Sequence, residues 1–250
     1  LSYRILDIDK TIQSIERLKV RIGERFPASG IFNVSCELTK LATESSNNIN
    51  KLSKPIWWLR VLAFILVLFI FFITTVLLIS FKNSGYYNYK FFEINFADFT
   101  QALESLINDI IFICLAIYFL FRFEIILKRK KILKNLHEIR TIAHVIDMHQ
   151  LTKDSKNLNV NRTEHSPERV LNNYELCRYL EYCIEMLSLS SKMATIYANK
   201  FDDEIVLNSI NEIEELTTGL CNKIWQKIIM VKNEINDLES KYSNNQKNTI

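Results

Sequence analysis

Apolar residues recur along most of this chain at steps of three and four, and in two places the alternation gives way to unbroken apolar runs. Near the N-terminus Ile5, Ile8, Ile12, Ile15, Leu18 and Ile22 share one face of a helix predicted over residues 3–22. Gly23, Pro27 and Gly30 then punctuate the stretch GERFPASG. A second helix is expected from about Asn33 to Leu52, with Val34, Leu38 and Leu41 on one face and Pro55 beyond its end. Neither helix has a core of its own, so the pair is expected to fold back on a body further along the chain.

Toward the C-terminus, residues 152–166 have no period and read as a loop. Ser166, Pro167 and Glu168 follow in the order of cap, first-turn proline and first-turn acid. They predict a helix running to about Lys200 that presents Val170, Tyr174, Cys177, Leu180, Ile184 and Leu187. Small residues late in that run, Ser188, Ser190, Ser191 and Ala194, would permit close approach by a neighbour. A last helix is expected to start near Asp202 or Asp203. On it Val206, Ile210, Ile213, Thr217, Leu220 and Ile224 alternate by four and three, and after one extra step of four the series resumes through Ile228, Val231, Ile235 and Leu238. This is a bundle or coiled-coil stripe with a stutter, and it nominates Ile213, Leu220, Ile224 and Val231 as assembly contacts. Gly219 costs that helix about 1 kcal/mol against alanine, so it is expected to mark a close contact or a kink.

The apolar runs are of another kind. Residues 61–79 read VLAFILVLFIFFITTVLLI, without a charge and with only Thr74 and Thr75 as polar interruptions. At 1.5 Å per residue a helix of that length matches the hydrocarbon thickness of a bilayer. Trp57, Trp58 and Arg60 precede it as an interfacial collar. The second run, IIFICLAIYFLF at 110–121, is flanked by Glu104, Asn108, Asp109 and Arg122, and Lys128, Arg129, Lys130 and Lys131 follow it. Two spans, about 61–81 and 103–123, joined by a short aromatic loop, make a returning hairpin. Lys51, Lys54, Arg60 and the 128–131 run flank its open end, whereas the loop carries only Lys82 and Lys90, so both termini are expected in the cytosol. The second span is expected to continue unbroken to about Gln150, a rod that would couple the body to the membrane. The basic run is placed for anionic lipid headgroups.

Asp109 lies about as deep in the second span as Thr74 and Thr75 lie in the first. Three readings stand: an acid at the outer headgroups beside Asn108, packing glue to a threonine or a neighbouring subunit, or the lining of an aqueous path in an oligomer.

Composition sharpens this picture. Only 4 Gly and 3 Pro accompany 16 Phe and 10 Tyr, which leaves few turns for a sheet protein. A net charge of +3, with its basic residues in a knot rather than a stripe, argues against nucleic acid as partner. Cys36, Cys114, Cys177, Cys183 and Cys221 have neither a disulfide framework nor zinc-ligand spacing and read as small buried hydrophobes. No metal or cofactor is expected.

The densest polar cluster is HEIRTIAHVIDMHQ at 137–150. Arg140, His144 and Asp147 recur there at four and three on one helix face, and the carboxylate is placed to orient the imidazole beside an anion-binding arginine. That is a weak catalytic candidate, and packing and ion pairing account for the same residues. Three residues separate Arg140 from His144 and eight separate it from His149, which departs on both sides from the arginine and histidine spacing of the HEPN-type RNases. Phosphate-loop, dinucleotide, nucleophile-elbow and kinase signatures are absent from the sequence.

The expected fold is all-α: a two-span transmembrane helical hairpin with a cytosolic bundle formed by N- and C-terminal segments. The expected divisions are a helical pair at 1–55, the hairpin at 56–127, a helical domain at 128–242 and a flexible tail at 243–250. The leading functional expectation is a scaffold or signal-coupling module in a bacterial inner membrane. It would self-associate, or bind a cytosolic protein or a small-molecule trigger. A pore-forming or membrane-perturbing effector, as in bacterial antiviral defence, and a membrane-tethered hydrolase or nuclease are the alternatives.

Overall fold

A computed structural model describes residues 6–52, 54, 56–83, 96–151 and 171–247. Every regular element among them is an α-helix: α1 (Ile8–Arg25), α2 (Gly30–Leu52), α3 (Trp57–Asn83), α4 (Phe96–Leu151), α5 (Asn173–Ala198) and α6 (Glu204–Lys247). The chain divides into two units. One combines Leu1–Ser53 with Lys131–Ile250, and the other is Lys54–Lys130. The division falls inside α4, so this single helix of 56 residues belongs to both.

The first unit is a bundle of α1, α2, the last third of α4, α5 and α6. Asp7 caps α1, its carboxylate accepting from Asp9 N–H at 3.0 Å. Ile15, Leu18 and Ile22 are buried as their spacing predicts, Ile8 and Ile12 pack against the core from its edge, and Ile5 lies outside the described residues. Helix α1 does not stop at Gly23 but runs through it to Arg25. A Cβ on Gly23 would stand 2.8 Å from the Phe32 ring, so this glycine serves a close approach between α1 and α2. Ala28, at φ 57°, makes the reversal, and Ser29 caps α2 by accepting from Phe32 N–H at 3.3 Å. That cap starts α2 at Gly30, ahead of the expected Asn33.

Helix α5 packs against α1, α2 and α6. Adjacent residues such as Leu176 and Cys177, Tyr179 and Leu180, Tyr182 and Cys183, and Met186 and Leu187 are all buried, which a helix with a single covered face does not allow. Its start also differs from the sequence expectation. Leu171 and Asn172 are non-helical, and Asn172 forms a reciprocal capping box with Glu175, so the helix carrying Tyr174 begins at Asn173. Ser166 and Pro167 lie outside the described residues. Ser190 and Ala194 are fully covered, as small residues at a close helix contact should be.

Helix α6 lays its stripe into this core: Val206, Ile210, Ile213, Thr217, Leu220, Ile224, Ile228 and Val231 are all buried. The helix runs past Tyr242 to Lys247, so the expected tail at 243–250 is helical over its described part. Gly219 makes no close contact, for a Cβ there would meet nothing within 4 Å. Helix α4 contributes Ile132, Leu136, Ile139, Ala143 and Ile146. Carbonyls in its last turn accept from other helices: Gln150 O from Lys227 Nζ and His149 O from the Tyr179 hydroxyl, each at 3.4 Å. Several buried polar groups are paired within the bundle. Asn135 Nδ2 donates to the Tyr197 hydroxyl at 3.0 Å, and Thr39, Ser190 and Thr217 donate to carbonyls of their own helices.

The second unit holds α3 and the N-terminal part of α4. At one end Ile56 N–H donates to Glu124 Oε1 at 3.1 Å, and Lys128 Nζ lies 2.9 Å from the same oxygen. Leu59 and Glu124 are buried there, and most of the remaining side chains of the unit are exposed.

The glycines give a test with opposite signs. Gly219→Ala should stabilise the protein by about 1 kcal/mol, because the exposed helix gains propensity and loses no space. Gly30→Ala should destabilise it, because its Cβ would stand 2.5 Å from the His149 ring. Thermal unfolding of the detergent-solubilised chain should move up for the first substitution and down for the second.

Candidate functional site

The long apolar windows of α3 and α4 have mean hydropathies of 2.7 and 2.5, and only 6% of each is buried. Burial separates these helices from the core helices of a soluble protein, which reach similar hydropathy but are covered by their own chain. Phe64 is 63% exposed, Phe72 61% and Phe112 69%. Trp57 and Trp58 are exposed ahead of the α3 run.

The polar residues within these helices stay apart. Thr74 donates its hydroxyl to Ile70 O at 3.0 Å and Phe71 O at 2.9 Å, and Thr75 donates to Phe72 O at 2.8 Å. Both hydroxyls are thus taken up by the turn below them, the usual resort of threonine in an apolar helix. Asn108 and Asp109 are exposed on α4, and no hydrogen bond joins either to Thr74 or Thr75. Within the basic run Lys128 turns back onto Glu124, Arg129 is half-buried, and Lys130 and Lys131 are exposed. Glu124 went unnoticed in the sequence. Its signal was an acid at the edge of an apolar run, four residues before a lysine.

The Arg140, His144 and Asp147 face exists on α4, but its members are engaged separately. Arg140 Nη1 lies 3.0 Å from Glu212 Oε2 on α6, and Asp147 Oδ1 accepts from Gln150 Nε2 at 2.8 Å. His144 is exposed and has no hydrogen bond to either. An acid that holds a glutamine does not orient an imidazole, and an arginine paired with a glutamate must break that pair to take an anion. Among the described residues no group of three or more His, Cys, Asp or Glu side chains is placed to hold a metal ion.

The stripe nominated for assembly is spent inside the chain. Ile213, Leu220, Ile224 and Val231 are between 0 and 4% exposed, so a second copy reaches none of them while the bundle is closed. The cysteines are free thiols. Cys177, Cys183 and Cys221 are held protonated by burial, and the Cys183 thiol is pushed up to about 12. Nucleophilic chemistry needs the thiolate, which these environments disfavour.

Burial also raises the pKa of the Tyr179 and Tyr197 phenols, which gives the bundle a pH dependence of definite sign. The folded state holds these protons more tightly than the unfolded chain does. The Cys183 thiol behaves likewise: its contribution is complete below pH 9.0, its ordinary value, and is lost as the pH rises toward about 12, while that of the phenols is complete below their ordinary 10.0 and declines above it. Melting temperatures measured from pH 8 upward should fall steadily above about 9, and Cys183→Ala should flatten part of that fall.

Comparison with protein-family models, with curated proteins and with solved structures finds no match for this chain.

Proposed function

We propose that the chain is a membrane-anchored helical scaffold, in which α3 and the apolar part of α4 span a bilayer as a hairpin and the bundle stands on the cytosolic side for a partner or a second copy to bind. The observation that carries this reading is the uncovered apolar surface. Among the described residues, 25 exposed large apolar side chains fall between Trp57 and Ile126, against eight elsewhere. Each such side chain left in water forgoes on the order of 1–3 kcal/mol, so together they outweigh the 5–15 kcal/mol by which a folded protein is usually stable. Lipid removes that cost without any further protein contact, and helices satisfy their own backbone within it. The lysine and arginine bias favours an orientation with the bundle inside.

Since the α6 stripe is interior, contact with a partner falls to outward surfaces. On α6 the side chains of Trp225, Ile229 and Met230 are about half exposed and offer such a surface.

A second reading, an oligomeric pore or membrane-perturbing effector, draws on one observation: Asn108 and Asp109 are exposed on α4 at the edge of its apolar run. A carboxylate facing hydrocarbon is costly, and a polar lumen shared between copies relieves that cost.

The scaffold reading predicts that the full-length protein stays with bacterial membranes through an alkaline carbonate wash and leaves them only in detergent. A membrane-impermeant maleimide should label Ser84→Cys on intact cells, and Ser240→Cys only after permeabilisation. Recovery of a monodisperse protein from the aqueous fraction without detergent would sink the membrane assignment, and the reverse labelling would sink its orientation. For the pore reading, Asp109→Asn should change ion leakage from proteoliposomes by several-fold. Tight vesicles at every protein density tested would count against it.

A further inference from the structure

The paired end of the hairpin carries a groove that the anchoring role does not use. Leu59, Ala63 and Val67, each one helical turn from the next, face Ile117, Leu120 and Glu124 of α4 across a space of about 460 Å³. That volume lies within the range of small-molecule sites. Ala63 is the smallest residue along the α3 side, and the space opens beside it. The wall is apolar along most of its length and ionic at one end, where Arg60 and Glu124 both line it.

The two charges are not equivalent. Glu124 is buried and already satisfied by Ile56 N–H and Lys128 Nζ, so its charge is neutralised within the chain. Arg60 is exposed and has no ion pair or hydrogen bond among the described residues. With Lys128 and Arg60 set against one carboxylate, the ionic end keeps an excess positive charge. The exposed indoles of Trp57 and Trp58 belong to the same end of α3 and are the side chains that sit at headgroup depth.

We propose that this groove is a binding site for an anionic phospholipid. One acyl chain lies between Ala63 and Val67 on one side and Ile117 and Leu120 on the other, and the lipid phosphate is held by the Arg60 guanidinium. The proposal rests on the membrane reading above, and it adds a lipid preference that an anchor alone would lack. A groove facing lipid fills with acyl chain in any case. The guanidinium, which has no ion pair among the described residues and is only drawn toward Glu124 at longer range, selects the headgroup, since its planar fork matches two phosphate oxygens. The excess positive charge favours a headgroup of net negative charge over a zwitterionic one.

The test uses the full-length protein in a neutral detergent, with phosphatidylglycerol and phosphatidylcholine of identical chains as probes. Retention is read by native mass spectrometry and stabilisation by thermal unfolding. Phosphatidylglycerol should be retained at about one per chain and raise the melting temperature more than phosphatidylcholine does. Arg60→Gln should weaken its binding roughly tenfold, in keeping with the loss of a charge-assisted pair, while Lys130→Gln, outside the groove, should change it little. Ala63→Phe should displace both lipids by filling the space, and because Arg60 is exposed, Arg60→Gln remains a valid test even if Ala63→Phe fails to fold.

Equal retention of the two lipids by the parent protein would overturn the proposal. So would equal losses from Arg60→Gln and Lys130→Gln, which would mean a diffuse basic surface, or equal stabilisation by millimolar inorganic phosphate, which would mean an anion site with no role for the acyl chain. Failure of the membrane reading would show differently, as a protein that needs no detergent at all.

Discussion

Uncovered apolar surface is the constraint on which the rest of this molecule depends. In α3 and the apolar part of α4, phenylalanine, leucine and isoleucine side chains point outward with almost nothing of the chain placed over them. Left in water, such a surface would forgo burial worth more than the net stability a domain usually possesses. The bundle has no comparable defect. Its buried residues form one continuous cluster drawn from α1, α2, α4, α5 and α6, and its exposed apolar residues are scattered. One chain therefore holds two units of unlike surface, and α4 is a single helix that belongs to both.

Within the bundle α5 does the central work. It is covered by α1, α2 and α6, and its aromatic residues Tyr179 and Tyr182 meet Phe26 edge-on at 5.7 and 6.2 Å, tying the α1–α2 reversal to the core. Tyr179 also reaches the carbonyl of His149 while Lys227 takes that of Gln150, so α5 and α6 together close the end of α4. The stripe on α6 belongs to the same closure. A heptad-like series does not announce whether it will meet its own chain or another one, because the burial it needs is the same in both cases. Here the chain's own helices supply the covering surface.

The polar face of α4 illustrates the same ambiguity. Arg140, His144 and Asp147 have the helical spacing of a catalytic constellation, yet each finds a different environment: Glu212 on another helix for Arg140, solvent for His144, and Gln150 in the next turn for Asp147. Spacing brings side chains to one face. Hydrogen bonding decides whether they act together, and in this fold no hydrogen bond joins the three.

Much of the architecture was legible before any coordinates. The apolar faces of α1, α2 and α6, the two uninterrupted apolar runs and the length of α4 all follow from periodicity and composition, since these depend on each residue's preference for oil or water and on helical geometry alone. The boundaries were less legible. Ser29 and Asn172 cap helices that Asn33 and Ser166 had seemed to begin, because a cap is fixed by which hydroxyl or amide meets a free N–H, and several nearby residues have the chemistry for that. Gly23 and Gly219 exchanged roles for a related reason: whether a missing Cβ makes room for a neighbour depends on where the neighbour is. The sequence by itself determined that the chain is helical, and it marked which segments are long and apolar enough to cross a membrane. Only the tertiary structure decided that the α6 stripe is interior, that Glu124 accepts from the Ile56 N–H while Arg60 has no ion pair among the described residues, and that α4 ends against α5 and α6, because each of these turns on contacts between residues far apart in the chain.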